Sequence, residues 1–322
     1  MSKDRDAEPV DVVTFGEAMA LLLAEHSYPL GSAINFRRSV AGAESTVAIG
    51  LARLGRRAAW IGRVGDDPLG HAVLRTMRAE GVDVSRALVD PDSYTGLLVR
   101  DSLELRSISV NYYRSDAAGS RLAPPDIDPE LICSARLLHG SGITPMLSES
   151  ARLASESAFR IARSAGVPTS FDPNLRKTIA PIDLSLKTAQ QHLAFADFAL
   201  VSREELNLLS GTDDVKDGCR WVLGQGVRFV AVKMGEEGSM GTDGADSWWV
   251  PGYPVRPVDT IGAGDAWAAG FLDALLSGAG YEQCLDQGNH VASLAIQVPG
   301  DVDGLPSERE RRDARDGRAV VR

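Results

Sequence analysis

Cysteine is scarce in this 322-residue chain: Cys133, Cys219 and Cys284 are odd in number and far apart. That argues against a disulfide framework or a cysteine-based zinc site and suits a reducing compartment. Positive charge is also in deficit, with 34 Lys and Arg against 44 Asp and Glu and a net charge of −10. A nucleic-acid partner is therefore not expected, because affinity for one rests on neutralising phosphates. A small anionic ligand stays open, since local arginines override a diffuse negative field. No apolar run approaches the ~20 residues that a membrane span needs. The opening segment, Met1–Pro9, is polar and lacks the apolar core of a secretory signal. No internal repeat is evident. The expectation is a soluble, cytoplasmic protein with no membrane partner.

What is present is ordinary for a globular chain: 44% hydrophobic and 24% charged residues. The length allows one large α/β domain or two smaller ones. A strand is expected over Val10–Gly16 and a second apolar run over Ala20–Ala24. A helix is expected over Thr46–Leu54, closed by Gly55. Ala58–Val64 reads as one strand and Leu69–Glu80 as a helix. Thr95–Arg100 and Ser107–Arg114 read as a hairpin. Beyond Pro124-Pro125 the pattern becomes strand–helix alternation, with strands at Leu137–Ser141, Pro168–Asp172, Phe198–Val201 and Phe229–Lys233. Helices such as Glu149–Ala165 and Asp217–Gln225 lie between them. Alternation of this kind predicts a parallel sheet with helices on both faces and ligands beyond the carboxyl ends of the strands. The strand groups near 17–36 and 94–114 do not fit it and would form a small separate sheet, a lid that excludes water. The end, Ser307–Arg322, is charge-rich and expected to fray.

The richest stretch is Asp259-Thr260-Ile261-Gly262-Ala263-Gly264-Asp265, followed by a small-residue apolar run to Leu276. The run has helical spacing, so the glycine turn sits at a helix start. Unpaired N–H groups and the positive end of the helix dipole favour an anion there, and glycine lets the backbone approach it. Asp265 would repel that anion unless it works as a base on an attacking hydroxyl, a pairing that phosphoryl transfer requires. Taken alone, the turn reads as an ordinary capped helix start with a first-turn carboxylate.

The whole heptapeptide resembles the C-terminal signature of the ribokinase-like (PfkB-type) carbohydrate kinases, with Ile261 where that family commonly has a small residue. Ala41-Gly42-Ala43-Glu44-Ser45-Thr46 resembles the family's sugar-contacting glycine motif, with Thr46 where Asn is usual. Arg63–Gly70 is also similar, and its glycines and acids read as a turn and helix start. Ser202-Arg203-Glu204-Glu205 resembles an Asn-x-x-Glu motif whose Glu organises magnesium waters. Here Ser replaces Asn, and a capping pair explains the same residues. Val232–Gly238 resembles the nucleotide-edge loop, or else is a strand and a glycine turn.

The segments Asn111–Ser120, Leu138–Pro145, Phe171–Arg176 and Pro299–Pro306 are similar to those of kinases acting on 2-keto-3-deoxygluconate. The resemblance runs from about residue 11 to 307. It implies a three-layer α/β/α ribokinase-like fold over 10–306 with a β-sheet lid, and a charged tail over 307–322. It implies Asp265 as base, with Gly262, Ala263 and Gly264 as the anion-stabilising turn. Gly42, Ala43, Glu44, Thr46, Tyr112, Arg114, Arg176 and Asp301 would hold the sugar. Asn174, Arg176, Lys233, Gly235 and Gly238, with the Gly262–Gly264 turn, would hold ATP, and Glu205 would reach Mg2+ through water. By the resemblance, Arg114 and Arg176 would hold the carboxylate of a sugar acid, the expected substrate, or the transferred phosphate, and arginine suits a carboxylate. A neutral sugar such as fructose and a non-catalytic sugar sensor are the alternatives. Some relatives bind a monovalent cation near the Asp259 loop. An exposed lid strand would allow pairing with a second copy, and the sequence leaves that oligomeric state open.

Overall fold

The computed structural model describes residues 10–317 except 26, 27, 102, 104–107 and 177. In chain order the first strands are β1 (Val12–Phe15), β2 (Met19–Ala24), β3 (Phe36–Ala41), β4 (Ala58–Ile61), β5 (Arg63–Gly65), β6 (Leu88–Asp90), β7 (Leu97–Arg100) and β8 (Val110–Tyr113). They are followed by β9 (Leu137–Ser141), β10 (Thr169–Asp172), β11 (Phe198–Ser202), β12 (Phe229–Lys233), β13 (Ser239–Thr242) and β14 (Ser247–Val250). The main sheet has the order β14-β13-β12-β11-β10-β9-β1-β4. It is parallel from β12 to β4 and closes at one edge with the antiparallel β12–β13–β14 meander.

Side-chain alternation along these strands builds two cores, one on each face. In β1, Val12 joins one cluster while Val13 and Phe15 join the other; in β12, Phe229 and Ala231 oppose Val230 and Val232. Such strands, buried on both faces, are the expected result of helices covering a parallel sheet. The helices Ala43–Arg53, Ala263–Leu276 and Tyr281–Ala295 cover one face, and Glu149–Ala165 and Ile182–Leu193 the other.

The Ala263–Leu276 helix is buried almost all round, which its Ala- and Gly-rich sequence permits. A Cβ added at Gly270 would lie 2.6 Å from the Gln287 carbonyl, so only glycine allows this helix and Tyr281–Ala295 to pack so closely. Gly270→Ala is expected to destabilise the protein by about 1–3 kcal/mol through overpacking, read by urea unfolding. A wild-type midpoint in that variant would contradict the close packing.

The second sheet, β3-β2-β7-β8, is the small sheet expected from the outlying segments, with β2 parallel to β7 and the other pairs antiparallel. Its strand β3 runs on to Ala41, past the expected limit at 36. Of the expected hairpin, Ser107 lies outside the described residues.

Four expectations need correction. Ala58–Val64 is two strands in different sheets, because β5 pairs with β6. The break falls at Gly62, where a Cβ would strike the Trp60 ring and the Gly16 carbonyl. The sheet is mixed, because β13 and β14 add an antiparallel edge. The first helix begins at Ala43 rather than Thr46. The region after Ser307 is a helix over Glu308–Arg315, held by a Ser307–Glu310 capping box and an Arg315–Asp286 ion pair, and 318–322 lie outside the described residues.

Candidate active site

The carboxyl ends of β9 to β12 and the start of the Ala263–Leu276 helix meet in one place. Gly262 takes φ 81°, a left-handed conformation natural to glycine, and turns the chain into that helix. Ala263, Gly264 and Asp265 form its first turn. Lys233, at the end of β12, places its ammonium beside Gly264, 3.5 Å from where a Cβ would be. The same ammonium pairs with Asp172, at the end of β10, at 2.5 Å. Burial works against the Lys233 charge, but Asp172, Glu205 and Asp265 outweigh it and hold the pKa above the usual lysine value.

Asp265 carries the most informative titration. Burial first, then the neighbouring Asp172, push its carboxyl up to about 7, against the opposing pull of Arg176 and Lys233. A carboxylate near neutrality is well matched to proton abstraction. Asn174 donates from Nδ2 to Asp265 Oδ1 at 3.4 Å and holds a φ of 41°, rare for a residue with a side chain. Its own N–H is fixed by Asp172 Oδ1 at 3.0 Å. Gly142 makes room for this loop, since a Cβ there would lie 2.0 Å from the Pro173 carbonyl.

Glu205 accepts from the Ser202 N–H at 2.7 Å and the Leu175 N–H at 2.8 Å. The capping pair read from sequence is therefore present, and it ties the β11 end to the Asn174 loop. Gly235 and Gly238, with φ of 61° and 100°, shape the β12–β13 turn flanking Lys233. Among the described residues no cluster of three or more His, Cys, Asp and Glu makes a ready-built metal cage. Asp172 and Glu205 both lie near Lys233, which fits magnesium, an ion that keeps several waters and leans on phosphates plus one or two carboxylates.

A second group of polar side chains lies between the four-stranded sheet and β1. Gly42 takes φ 135° and packs directly against the Glu17 carbonyl, where a Cβ would come within 2.3 Å. Ala43 and Glu44 follow as the first helical residues. Glu44 Oε1 accepts from Ser141 Oγ at 2.8 Å and Thr144 Oγ1 at 2.6 Å, and Ser141 neighbours Asp172 in the sheet. This group therefore adjoins the Asp265 cluster. Glu44 Oε2, Thr46 Oγ1 and Glu17 Oε1 are buried without a hydrogen-bond partner among the described residues. Burial raises the pKa of both Glu17 and Glu44.

Arg114 is paired with Glu17 rather than free. Its guanidinium also lies 5.5 Å from the ring centroid of Tyr112, which is exposed on β8. Arg176 is exposed and near enough to Asp265 to affect its titration. Asp301 lies behind the Gly262 turn, bound by Arg100 Nη2 at 2.9 Å. Glu17 and Arg100 were not expected as site residues, and Asp172 was expected only as lying at the strand end where ligands sit, with no role of its own. Position was the available signal for two of them, because Glu17 and Asp172 stand at the carboxyl ends of parallel strands.

A profile of the pfkB family of carbohydrate kinases matches residues 10–308. The chain is 37% identical to a 2-dehydro-3-deoxygluconokinase of Bacillus subtilis, over 94% of each protein. It is 33% identical to one of Thermoproteus tenax, over 94% of this chain and 93% of that one. The crystal structure of a PfkB protein from Polaromonas superimposes with a TM-score of 0.87 at 36% identity, covering 94% of this chain and 99% of that one. The helix-start turn, the near-neutral aspartate and these likenesses agree: the chain belongs to the pfkB family and is a carbohydrate kinase with the ribokinase-like fold.

Proposed function

We propose that the enzyme transfers the γ-phosphoryl group of ATP to the terminal hydroxyl of a sugar acid, 2-keto-3-deoxygluconate, giving its 6-phosphate. The observation that carries the chemistry is Asp265, a carboxylate with a pKa of about 7 in the first turn of the helix that presents Gly262–Gly264. In this reading Asp265 takes the hydroxyl proton as the oxygen attacks the γ-phosphorus. The N–H groups of Gly262, Ala263 and Gly264, with Lys233, stabilise charge on the transferred group. Asn174, Arg176, Gly235 and Gly238 line the nucleotide side. Magnesium, when bound, neutralises charge on the nucleotide phosphates, and Asp172 and Glu205 would hold its waters.

Gly42–Thr46, Tyr112 and Arg114 orient the sugar. The buried, unpartnered oxygens of Glu44, Thr46 and Glu17 are groups that sugar hydroxyls would satisfy. Asp301, which the resemblance sets against the sugar, is bound by Arg100 behind the Gly262 turn. The relatives named for 2-dehydro-3-deoxygluconate support the acid, and exposed Arg176 is the cation free to meet its carboxylate.

One observation favours a neutral sugar instead. Arg114 is already paired with Glu17 and so not free to meet an acid, and Glu44 adds a second buried carboxyl rather than a cation. Arg176→Ala separates the two readings. For a sugar acid, KM is expected to rise ~10-fold or more, the scale of a lost charged hydrogen bond, while a neutral sugar changes little. Equal losses for both sugars would assign Arg176 to phosphate and remove the argument for an acid.

A further inference from the structure

Arg100 ends the lid strand β7, yet its side chain is 0% exposed. It reaches the main domain. Nη1 lies 2.8 Å from Asp259 Oδ2 and Nη2 lies 2.9 Å from Asp301 Oδ1. Asp259 opens the glycine turn, and its carboxylate also accepts the Ile261 N–H at 3.1 Å and the Gly300 N–H at 3.0 Å. The Asp301 carbonyl backs Gly262, 3.0 Å from where a Cβ would stand. One guanidinium thus joins a lid strand, the start of the turn and the loop behind it.

The chemistry of this arrangement is not that of a general stabiliser. A fully buried arginine is costly to desolvate, and an apolar replacement often serves stability as well. What the guanidinium does supply is a fixed planar geometry between two carboxylates that would otherwise repel each other. The Asp259 carboxylate accepts from the Ile261 N–H within the turn and from the Gly300 N–H beside Asp301, whose own main-chain carbonyl packs behind Gly262. The spacing of the two carboxylates therefore sets where the N–H groups of Gly262–Gly264 point.

The same residues do not fit a monovalent cation, which some relatives bind near this loop. The Asp259 oxygens are occupied by two backbone N–H groups and Arg100, and the charge that a cation would bring is already present on a side chain.

We propose that Arg100 is a positioning residue: a cation carried by the lid that holds Asp259 and Asp301, aligns the Gly262–Gly264 turn, and makes the enzyme independent of monovalent cations. This rests on the reading of that turn as the phosphoryl-stabilising element. The coupling also makes lid and turn one unit, so the donors are aligned where β7 is seated.

The test compares wild type, Arg100→Ala and Arg100→Lys in potassium chloride and in tetramethylammonium chloride at matched ionic strength. Wild-type kcat is expected to differ by less than about twofold between the salts. Arg100→Ala should lose ~10- to 100-fold in kcat, the scale of misaligned oxyanion donors, with KM for ATP nearly unchanged. Millimolar guanidinium or potassium should restore part of that loss, and Arg100→Lys should retain more activity than Arg100→Ala. A potassium requirement in wild type, or a wild-type kcat in Arg100→Ala, would overturn the proposal.

Should Arg100→Ala not fold, wild type and Arg100→Lys still decide. A lysine variant with a lowered but potassium-independent kcat supports the proposal, because the charge is kept and the planar fork is lost, and a wild type that needs potassium refutes it. Thermal melting with ADP and magnesium gives a readout independent of the sugar. Potassium should raise the melting temperature of Arg100→Ala over the tetramethylammonium control and leave wild type unmoved. A potassium-specific rise in wild type would refute the cation role even if the sugar assignment were wrong.

Discussion

Asp265→Asn is expected to lower kcat by ~10²-fold or more, the scale on which a general base acts, while ADP and ATP still bind. The substitution keeps shape and removes the proton acceptor. Wild-type kcat/KM should rise with pH through about 7, where the Asp265 carboxyl ionises, and that limb should vanish in the variant. Stability should move the other way. The folded pKa lies above the ordinary aspartate value, so ionising Asp265 costs stability as pH rises between the two. Wild type should therefore melt below Asp265→Asn at alkaline pH, with the gap closing in acid. A variant with near-normal turnover, or an unchanged acidic limb, would remove Asp265 from the chemistry.

Lys233→Met is expected to be nearly as severe for a different reason. The ammonium lies among Asp172, Glu205 and Asp265, and those carboxylates hold it charged despite burial. Its raised pKa means that its contribution to stability is complete at neutral pH and fades only in strong alkali. Removing it leaves buried carboxylates uncompensated, at a cost of about 3–5 kcal/mol in urea unfolding. Asp265 should then ionise at a higher pH than in wild type, because one of the charges that pulls its pKa down is gone. Turnover at neutral pH should fall ~10²-fold through loss of both base and phosphate cation. If the acidic limb of the rate profile stays where it is, Lys233 does not act on Asp265 as described.

The parts of this site that could be read from sequence are those whose chemistry is local. The Gly262–Asp265 turn carries its meaning in consecutive residues, and the small-residue run after it can only be a buried helix. The strands ending at Ser141, Asp172, Ser202 and Lys233 were legible for the same reason: each is a short apolar run closed by polar or turn residues. The β13–β14 hairpin was not, because Ser239-Met240-Gly241-Thr242 has little apolar content and gains its place by pairing with β12. The Ala58–Val64 run concealed its bend at Gly62, which follows from contact with the Trp60 ring and the Gly16 carbonyl.

Pairings across the chain were least legible. Arg114 reads as a free cation in sequence, and only the fold brings Glu17 to it. Arg100 reads only as the last residue of a hairpin strand, and the fold alone brings Asp259 and Asp301 to it from the far end of the chain. The Glu205 capping box was visible because its partner, Ser202, is three residues away, whereas its bond to Leu175 was not.

The acceptor proposed for this site is a sugar acid. Coupled ADP release with magnesium-ATP, comparing 2-keto-3-deoxygluconate and fructose under matched conditions, tests it most directly. The prediction is a clear preference in kcat/KM for the acid. A preference for fructose would contradict the claim, leaving Asp265 and the glycine turn in place but giving the sugar pocket to the neutral reading that the Glu17–Arg114 pair supports.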